Sequence, residues 1–421
     1  MTPIFALLMA AAAASTPAFE DNFVDRTLRI DYQLCGDKSA QHIFLAGMKT
    51  DSVWAGRRHR LTELPLEGRG QLTMTSAETG DTLYRTSFCS LFNEWLDTDE
   101  AASVPRAFEH TVLVPMPKET VNITLTLTDP YRKPTATISH SVNPNDILIN
   151  RTSSALPPYR YLHQGNTPDK AIDVAILAEG YSHEQLELFY SDALKAVESI
   201  LSHQPFADNK ENFNFIAVAS TTDNTDVSKP KDNQWTNSAF GSHFSTFYSD
   251  RYLTTPHVFA VNDALRGIPY EHIIILANTP EYGGGGIYNS YTLTTSRHDA
   301  FWPVVTHEFG HSFGGLADEY FYDNEVYTNE YPLDIEPWER NVTTLADFKG
   351  KWENLIEADT PIPTTISEEG TNPTGVYEGG AYVSKGVYRS TPDCRMKTNT
   401  ANHFCPACQL ALSRLIEFYT R

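Results

Sequence analysis

Basic residues are scarce in this 421-residue chain: 32 Lys and Arg stand against 53 Asp and Glu, a formal charge of -21. Such a surface repels phosphate backbones and anionic headgroups, so no nucleic-acid partner is expected. The acidic residues are spread along the chain rather than gathered in a tail, which reads as a solubilising surface. Long apolar runs are also missing. The opening MTPIFALLMAAAAA is too short to span a bilayer and leads into small residues suited to signal-peptidase cleavage. Residues 1–18 are therefore expected to be a secretory signal, although no Lys or Arg precedes the apolar run. No Cys lies near the cleavage region between Ala14 and Ala18, which argues against a lipoprotein anchor. With no transmembrane segment expected, the chain is assigned to a secreted, periplasmic or cell-surface location.

Cysteine is sparse and odd in number: Cys35, Cys89, Cys394, Cys405 and Cys408. An oxidising compartment favours disulfides. Cys35 and Cys89 fall in one region and are expected to pair. No repeat of fixed period appears, which excludes a solenoid. The Gly283–Gly286 run does not follow the strand-to-helix logic of a phosphate-binding loop.

What is present divides the chain in two. Residues 19–150 contain short alternating runs, as at 27–34, 70–75 and 121–128, rich in Thr, Leu and Val and broken by Gly and Pro. That period of two marks half-buried antiparallel strands, so an all-β sandwich is expected, with a support or recognition role. Residues 150–170 mix Ser, Pro, Asn and Gly without periodicity and read as a linker. Beyond it, residues 172–178, 213–219 and 272–277 are continuous apolar runs suited to buried strands. A helix opens at Ser182, with Glu184 and Gln185 in its first turn, and runs to about His203. Strands alternating with helices indicate an α/β (α+β) domain over 151–421.

Residues 299–320 carry the chemistry. Asp299 is placed as an N-cap, Pro303 in the first turn and Gly314–Gly315 at the end of a helix of about four turns. His307 and His311 are four apart and project from one face, where two imidazoles can share a metal. Glu308 follows the first imidazole and can act as general base on a water that the metal activates. Catalytic zinc usually takes three protein ligands. The metzincin pattern HExxHxxGxxH would place a third His where this chain has Ala317. Asp318, one position later, is the first choice for that ligand, with Glu319 and the more distant Glu330 as alternatives.

The strings HEFGHSFGGLADEY at 307–320, YGGGGIYN at 282–289, CRMK at 394–397 and FCPAC at 404–408 resemble the IgA peptidase family of metallopeptidases. The β-rich N-terminal region is similar to that family's accessory domain. The resemblance implies a metzincin-like catalytic domain, one Zn²⁺ and endopeptidase activity on protein or peptide substrates. It carries over His307, His311 and Asp318 as metal ligands and Glu308 as base, and makes Met396 the methionine of the turn beneath the metal. It also favours Gly284, Gly285 and Gly286 as an exposed strand edge to which an extended substrate adds, over a flexible turn. Cys394, Cys405 and Cys408, with His403 nearby, fit either a second, structural zinc site or a disulfide with one thiol left over; the disulfide is preferred. The rival functions are a zinc amidase acting on cell-wall peptides and a surface-binding protein with a vestigial metal site. Intact His307, Glu308 and His311 argue against the second.

Overall fold

The computed structural model describes residues 18–152, 155–321, 332–367 and 372–421. The expected signal segment and Glu330 therefore lie outside the described residues, apart from Ala18. The N-terminal part is all strand at its core. The strands are β1 (Phe23–Gly36), β2 (Gln41–Thr50), β3 (Gly70–Ser76), β4 (Thr82–Phe88), β5 (Arg106–Pro117), β6 (Val121–Thr128), β7 (Pro134–Val142) and β8 (Ile149–Asn150). They form two four-stranded sheets, ordered β5-β1-β2-β8 and β4-β3-β6-β7. In β6 the apolar residues Val121, Ile123, Leu125 and Leu127 are buried while the intervening polar ones are not. That alternation supplies one face of a core to which both sheets contribute, Leu28 and Ile30 from the first and Leu72 and Met74 from the second.

The second part is built on six strands: β9 (Tyr159–Gln164), β10 (Ile172–Glu179), β11 (Phe213–Val218), β12 (His272–Ala277), β13 (Gly284–Ile287) and β14 (Tyr291–Thr295). Their order is β13-β14-β12-β10-β11-β9. The four central strands run parallel, and β13 and β9 are antiparallel edges. Every residue of β10 is buried, as a central strand covered on both faces requires. One face packs on the helices Leu186–Ser202, Phe301–Ser312 and Pro406–Thr420 through residues such as Val174, Ile176, Ala193, Phe309 and Leu412. The other face, with Ala175, Leu177, Ile216 and Val218, packs on the helix Val258–Ala264 and on Leu91 and Leu113 of the N-terminal part. A three-stranded sheet of β15 (Val342–Thr343), β16 (Tyr377–Gly380) and β17 (Val383–Arg389) completes the fold.

Two local expectations need correction. The stretch read as a linker contains β9, whose residues are mostly exposed, so its backbone pairing with β11 left no apolar signature. The HExxH helix is shorter than four turns, covering Phe301–Ser312, and its N-cap is Ala300 rather than Asp299. The Ala300 N–H is taken up instead by His298 Nδ1 at 3.0 Å. Ser182, by contrast, forms a reciprocal capping box with Gln185 before the helix Leu186–Ser202. Among the described residues no helix is long and apolar enough to cross a membrane.

Candidate metal centre

Helical spacing alone brings His307 and His311 together: their Nε2 atoms lie 3.1 Å apart. The helix then ends in a left-handed turn at Gly315 (φ +55°), whose N–H donates to His311 O at 2.9 Å. Reversal of the chain there sets Leu316 O 2.6 Å from His311 Nδ1 and brings Asp318 back over the helix. Asp318 Oδ1 is 3.1 Å from His307 Nε2 and 3.3 Å from His311 Nε2. On the far side of His307, Nδ1 lies 2.9 Å from Arg395 O.

Both Nδ1 atoms face carbonyl oxygens and so carry the ring protons, leaving both Nε2 lone pairs directed at Asp318. Asp318 Oδ1 is buried and takes no hydrogen bond. Three acceptor atoms thus converge in a triangle of sides 3.1, 3.1 and 3.3 Å, an arrangement that needs a cation between them. A tetrahedral zinc with bonds of about 2.0–2.1 Å spaces its ligand atoms roughly 3.3 Å apart, so the trio fits that ion. Without an ion, the Asp318 carboxylate draws a proton onto the trio, one that a bound cation would displace. Burial opposes charge on His311, but the Asp318 carboxylate outweighs it and pushes the imidazole up to about 9. Burial also opposes an ionised Asp318, and the two imidazoles overcome it, holding the carboxyl well below its usual range. Glu308 is raised by burial, against the pull of His307 and His311, which suits a group that must accept a proton.

The family model for IgA peptidase M64 matches residues 161–374 and 367–416, and that for the peptidase M64 N-terminus matches 18–138. The chain belongs to the IgA peptidase M64 family. It is a metallopeptidase, a hydrolase whose substrate is protein. No curated protein matches it.

In this M64 peptidase Met396 is fully buried beneath the helix, where a Cβ added at Gly310 would lie 2.6 Å from its sulfur. Its O accepts the Glu319 N–H at 2.8 Å, so the 394–396 turn braces His307 and the chain beside Asp318 together. The glycine strand is the edge of its sheet, as expected, but one end of that edge is closed. Gly284 N–H donates to Arg251 O and Gly284 O accepts from Leu253 N–H, both at 3.3 Å, so that part of the β13 edge is occupied. Packing requires glycine at Gly286, where an added Cβ would lie 2.3 Å from Glu308 O; at Gly284 it would lie 2.6 Å from Glu308 Oε1, the end of a flexible side chain.

The cysteine expectations also change. All five thiols are free. Cys89 packs against the second part of the chain, where burial pushes its thiol up to about 12. Cys394, Cys405 and Cys408 do converge, but the fourth member of the group is Glu319, while the His403 side chain is exposed and paired with Asn402. Glu319 is thereby turned away from the His307–His311–Asp318 trio.

Sequence reasoning missed Tyr382, whose hydroxyl donates to Asp318 Oδ2 and itself accepts from Tyr320. It sits in the turn between β16 and β17, 64 residues from its partner. It also missed Tyr252, which donates to Glu94 of the N-terminal part and carries the ring that packs on Gly285.

Proposed function

We propose that this metallopeptidase is an exported, zinc-dependent endopeptidase in which His307, His311 and Asp318 hold the ion and Glu308 is the general base. The observation that carries the reading is the triangle of His307 Nε2, His311 Nε2 and Asp318 Oδ1, with the Glu308 carboxylate on the adjoining position of the helix. A zinc ion held there supplies a nucleophile at neutral pH and polarises the scissile carbonyl. Glu308 accepts the proton lost by the attacking water and returns it to the leaving amine. Gly284 leaves the space in which that carboxylate sits. Arg395 O and Leu316 O fix the imidazole tautomers, and Tyr382 orients the Asp318 carboxylate from its outer oxygen. On this reading the catalytic part is a metzincin-like domain with Met396 as its underlying methionine, and the two N-terminal sheets form a β-sandwich. Export rests on the apolar opening residues.

Substrates are extracellular proteins, and immunoglobulin A is the first to try because the family is named for it. Cleavage of a protein panel including IgA, by the wild type and by Glu308→Ala, tests the proposal, with chelator and zinc add-back as controls. The variant should keep its metal and lose cleavage. Cleavage confined to cell-wall peptides would make the protein an amidase instead.

A further inference from the structure

Behind the catalytic trio lies a second group of potential ligands, made by Glu319, Cys394, Cys405 and Cys408, all buried, with one ligand atom from each within 4.8 Å of the others. The spacings are those of a coordination shell. Cys394 Sγ and Cys408 Sγ are 3.8 Å apart. A tetrahedral zinc with Zn–S bonds of about 2.3 Å sets its sulfurs about 3.8 Å from one another, whereas a disulfide needs about 2.05 Å. Glu319 Oε1 lies 3.1 Å from Cys408 Sγ and 3.4 Å from Cys405 Sγ, slightly inside the roughly 3.6 Å expected between sulfur and oxygen on one zinc.

Three further features point to a cation. Glu319 is fully buried and its Oε2 has no hydrogen-bond partner, while Asn341 Nδ2 steadies Oε1 at 3.0 Å. A buried carboxyl group with one oxygen against two thiols and the other without a partner is costly unless something positive lies beside it. The sulfurs also collect backbone donors. Cys394 Sγ accepts from Cys405 N–H at 3.1 Å and from Met396 N–H at 3.4 Å, and Cys405 Sγ accepts from Cys408 N–H at 3.4 Å. Such bonds stabilise thiolates, and the helix Pro406–Thr420 starts at this point with its positive end toward them. Arg389 and Arg395 stand close enough to interact with Glu319 and Cys394 respectively and to offset the remaining negative charge.

We propose that Cys394, Cys405, Cys408 and Glu319 bind a second, structural zinc ion in a closed four-ligand site. The three thiols release their protons on binding, and no redox step is involved. The ion joins the two segments that shape the catalytic trio. Glu319 adjoins Asp318, and the 394–396 turn supplies Arg395 O to His307 and Met396 O to the Glu319 N–H. The site does not depend on the catalytic reading, because none of its ligands belongs to the His307–His311–Asp318 trio.

The experiment is zinc analysis of the full chain and of a His307→Ala/His311→Ala variant, both purified with zinc present, together with zinc X-ray absorption and thiol titration of the denatured, metal-free protein. The expected result is two zinc ions per wild-type chain and one in the variant. That remaining ion should show sulfur neighbours at about 2.3 Å, and all five thiols should titrate. A folded variant free of zinc, or holding zinc without sulfur neighbours, overturns the proposal, as does a titration that finds a disulfide among these cysteines. Should the variant fail to fold, the wild type decides alone: two ions with a sulfur shell support the site, and one ion with only nitrogen and oxygen neighbours refutes it.

Discussion

On the proposed mechanism, Gly284→Ala separates the base from the metal. An added Cβ would lie 2.6 Å from Glu308 Oε1 and 2.9 Å from its Cδ and Cγ, where ordinary contact begins near 3.4 Å. All three near atoms belong to one flexible side chain, and Gly284 does not need a left-handed backbone, so the fold can accept the methyl group. What gives way is Glu308, by about the 0.8 Å between 2.6 and 3.4 Å. Displacing a reacting group by roughly 1 Å costs on the order of 100-fold in rate, or about 2.7 kcal/mol. We expect Gly284→Ala to lower kcat/KM about 100-fold while metal content and Tm stay close to wild type.

Gly286→Ala is the contrast. Its Cβ would meet Glu308 O at 2.3 Å and His311 Cβ at 2.8 Å, and neither can swing aside. Overpacking of that kind costs about 1–3 kcal/mol of stability, so this variant should lose Tm and metal together. The assay is kcat/KM on one peptide substrate, with metal per chain and thermal unfolding for each protein. In a Glu308→Gln background, Gly284→Ala should add no further loss, since both changes act through one group. Wild-type kcat/KM in Gly284→Ala, or an additive loss in the double variant, would refute the reasoning.

Three other outcomes are expected. Tyr382→Phe removes the hydrogen bond to Asp318 Oδ2 and should weaken metal retention about 10–100-fold in a chelator competition, with the fold intact. Asp173 is fully buried, its Oδ2 has no partner, and burial lifts its carboxyl from the usual 3.8 to about 7 although Asn214 donates to it. The folded state therefore holds this proton more tightly than the unfolded chain, and the group's contribution to stability falls as pH rises from about 4 to 7, by at most about 4 kcal/mol. Asp173→Asn should remove that slope and raise the denaturation midpoint at pH 8 relative to wild type, as denaturant titrations at pH 4 and pH 8 would measure. Gly315→Ala puts a Cβ on a left-handed residue 2.7 Å from Leu66 and 2.8 Å from Trp338, and should lower Tm and metal affinity together by disturbing the turn that returns Asp318.

The convergence of His307, His311 and Asp318 was legible because two of its members are set by helix periodicity and the third by a glycine turn a few residues later. The alternation of β6 and the unbroken apolar run of β10 were legible for a similar reason, since burial on one face or two writes a short-range pattern. What escaped lies in long-range pairing. Tyr382 reaches Asp318 from another sheet, and β9 is an edge strand with too little buried surface to show. Glu319 could be named as an acid near the metal, but whether it faced the histidines or the cysteines depends on how the 394–396 turn docks. The Cys35–Cys89 pairing failed because the two residues were grouped by sequence region, whereas Cys89 packs across the boundary and its N–H donates to Tyr288 O at 2.9 Å.

That contact gives the N-terminal part a defined role in the site. Tyr288 lies in the turn between β13 and β14, and the next residue, Asn289, donates from Nδ2 to Ser87 O at 2.8 Å. The far end of β13 is held by the 251–253 segment, and Tyr252 in that segment is bonded to Glu94, whose carboxyl burial pushes up to about 7. Leu66 adds a buried contact to the same core as Phe309 and Met396. The first 100 positions therefore hold one end of the glycine strand through Ser87 and Cys89 and reach the other only through Glu94 and Tyr252, and the strand in turn sets the space available to Glu308. A catalytic part expressed without those residues would retain the His307, His311 and Asp318 spacing written into one helix and its turn, but would lose the wall that positions the base. Metal binding should then survive the truncation better than catalysis does.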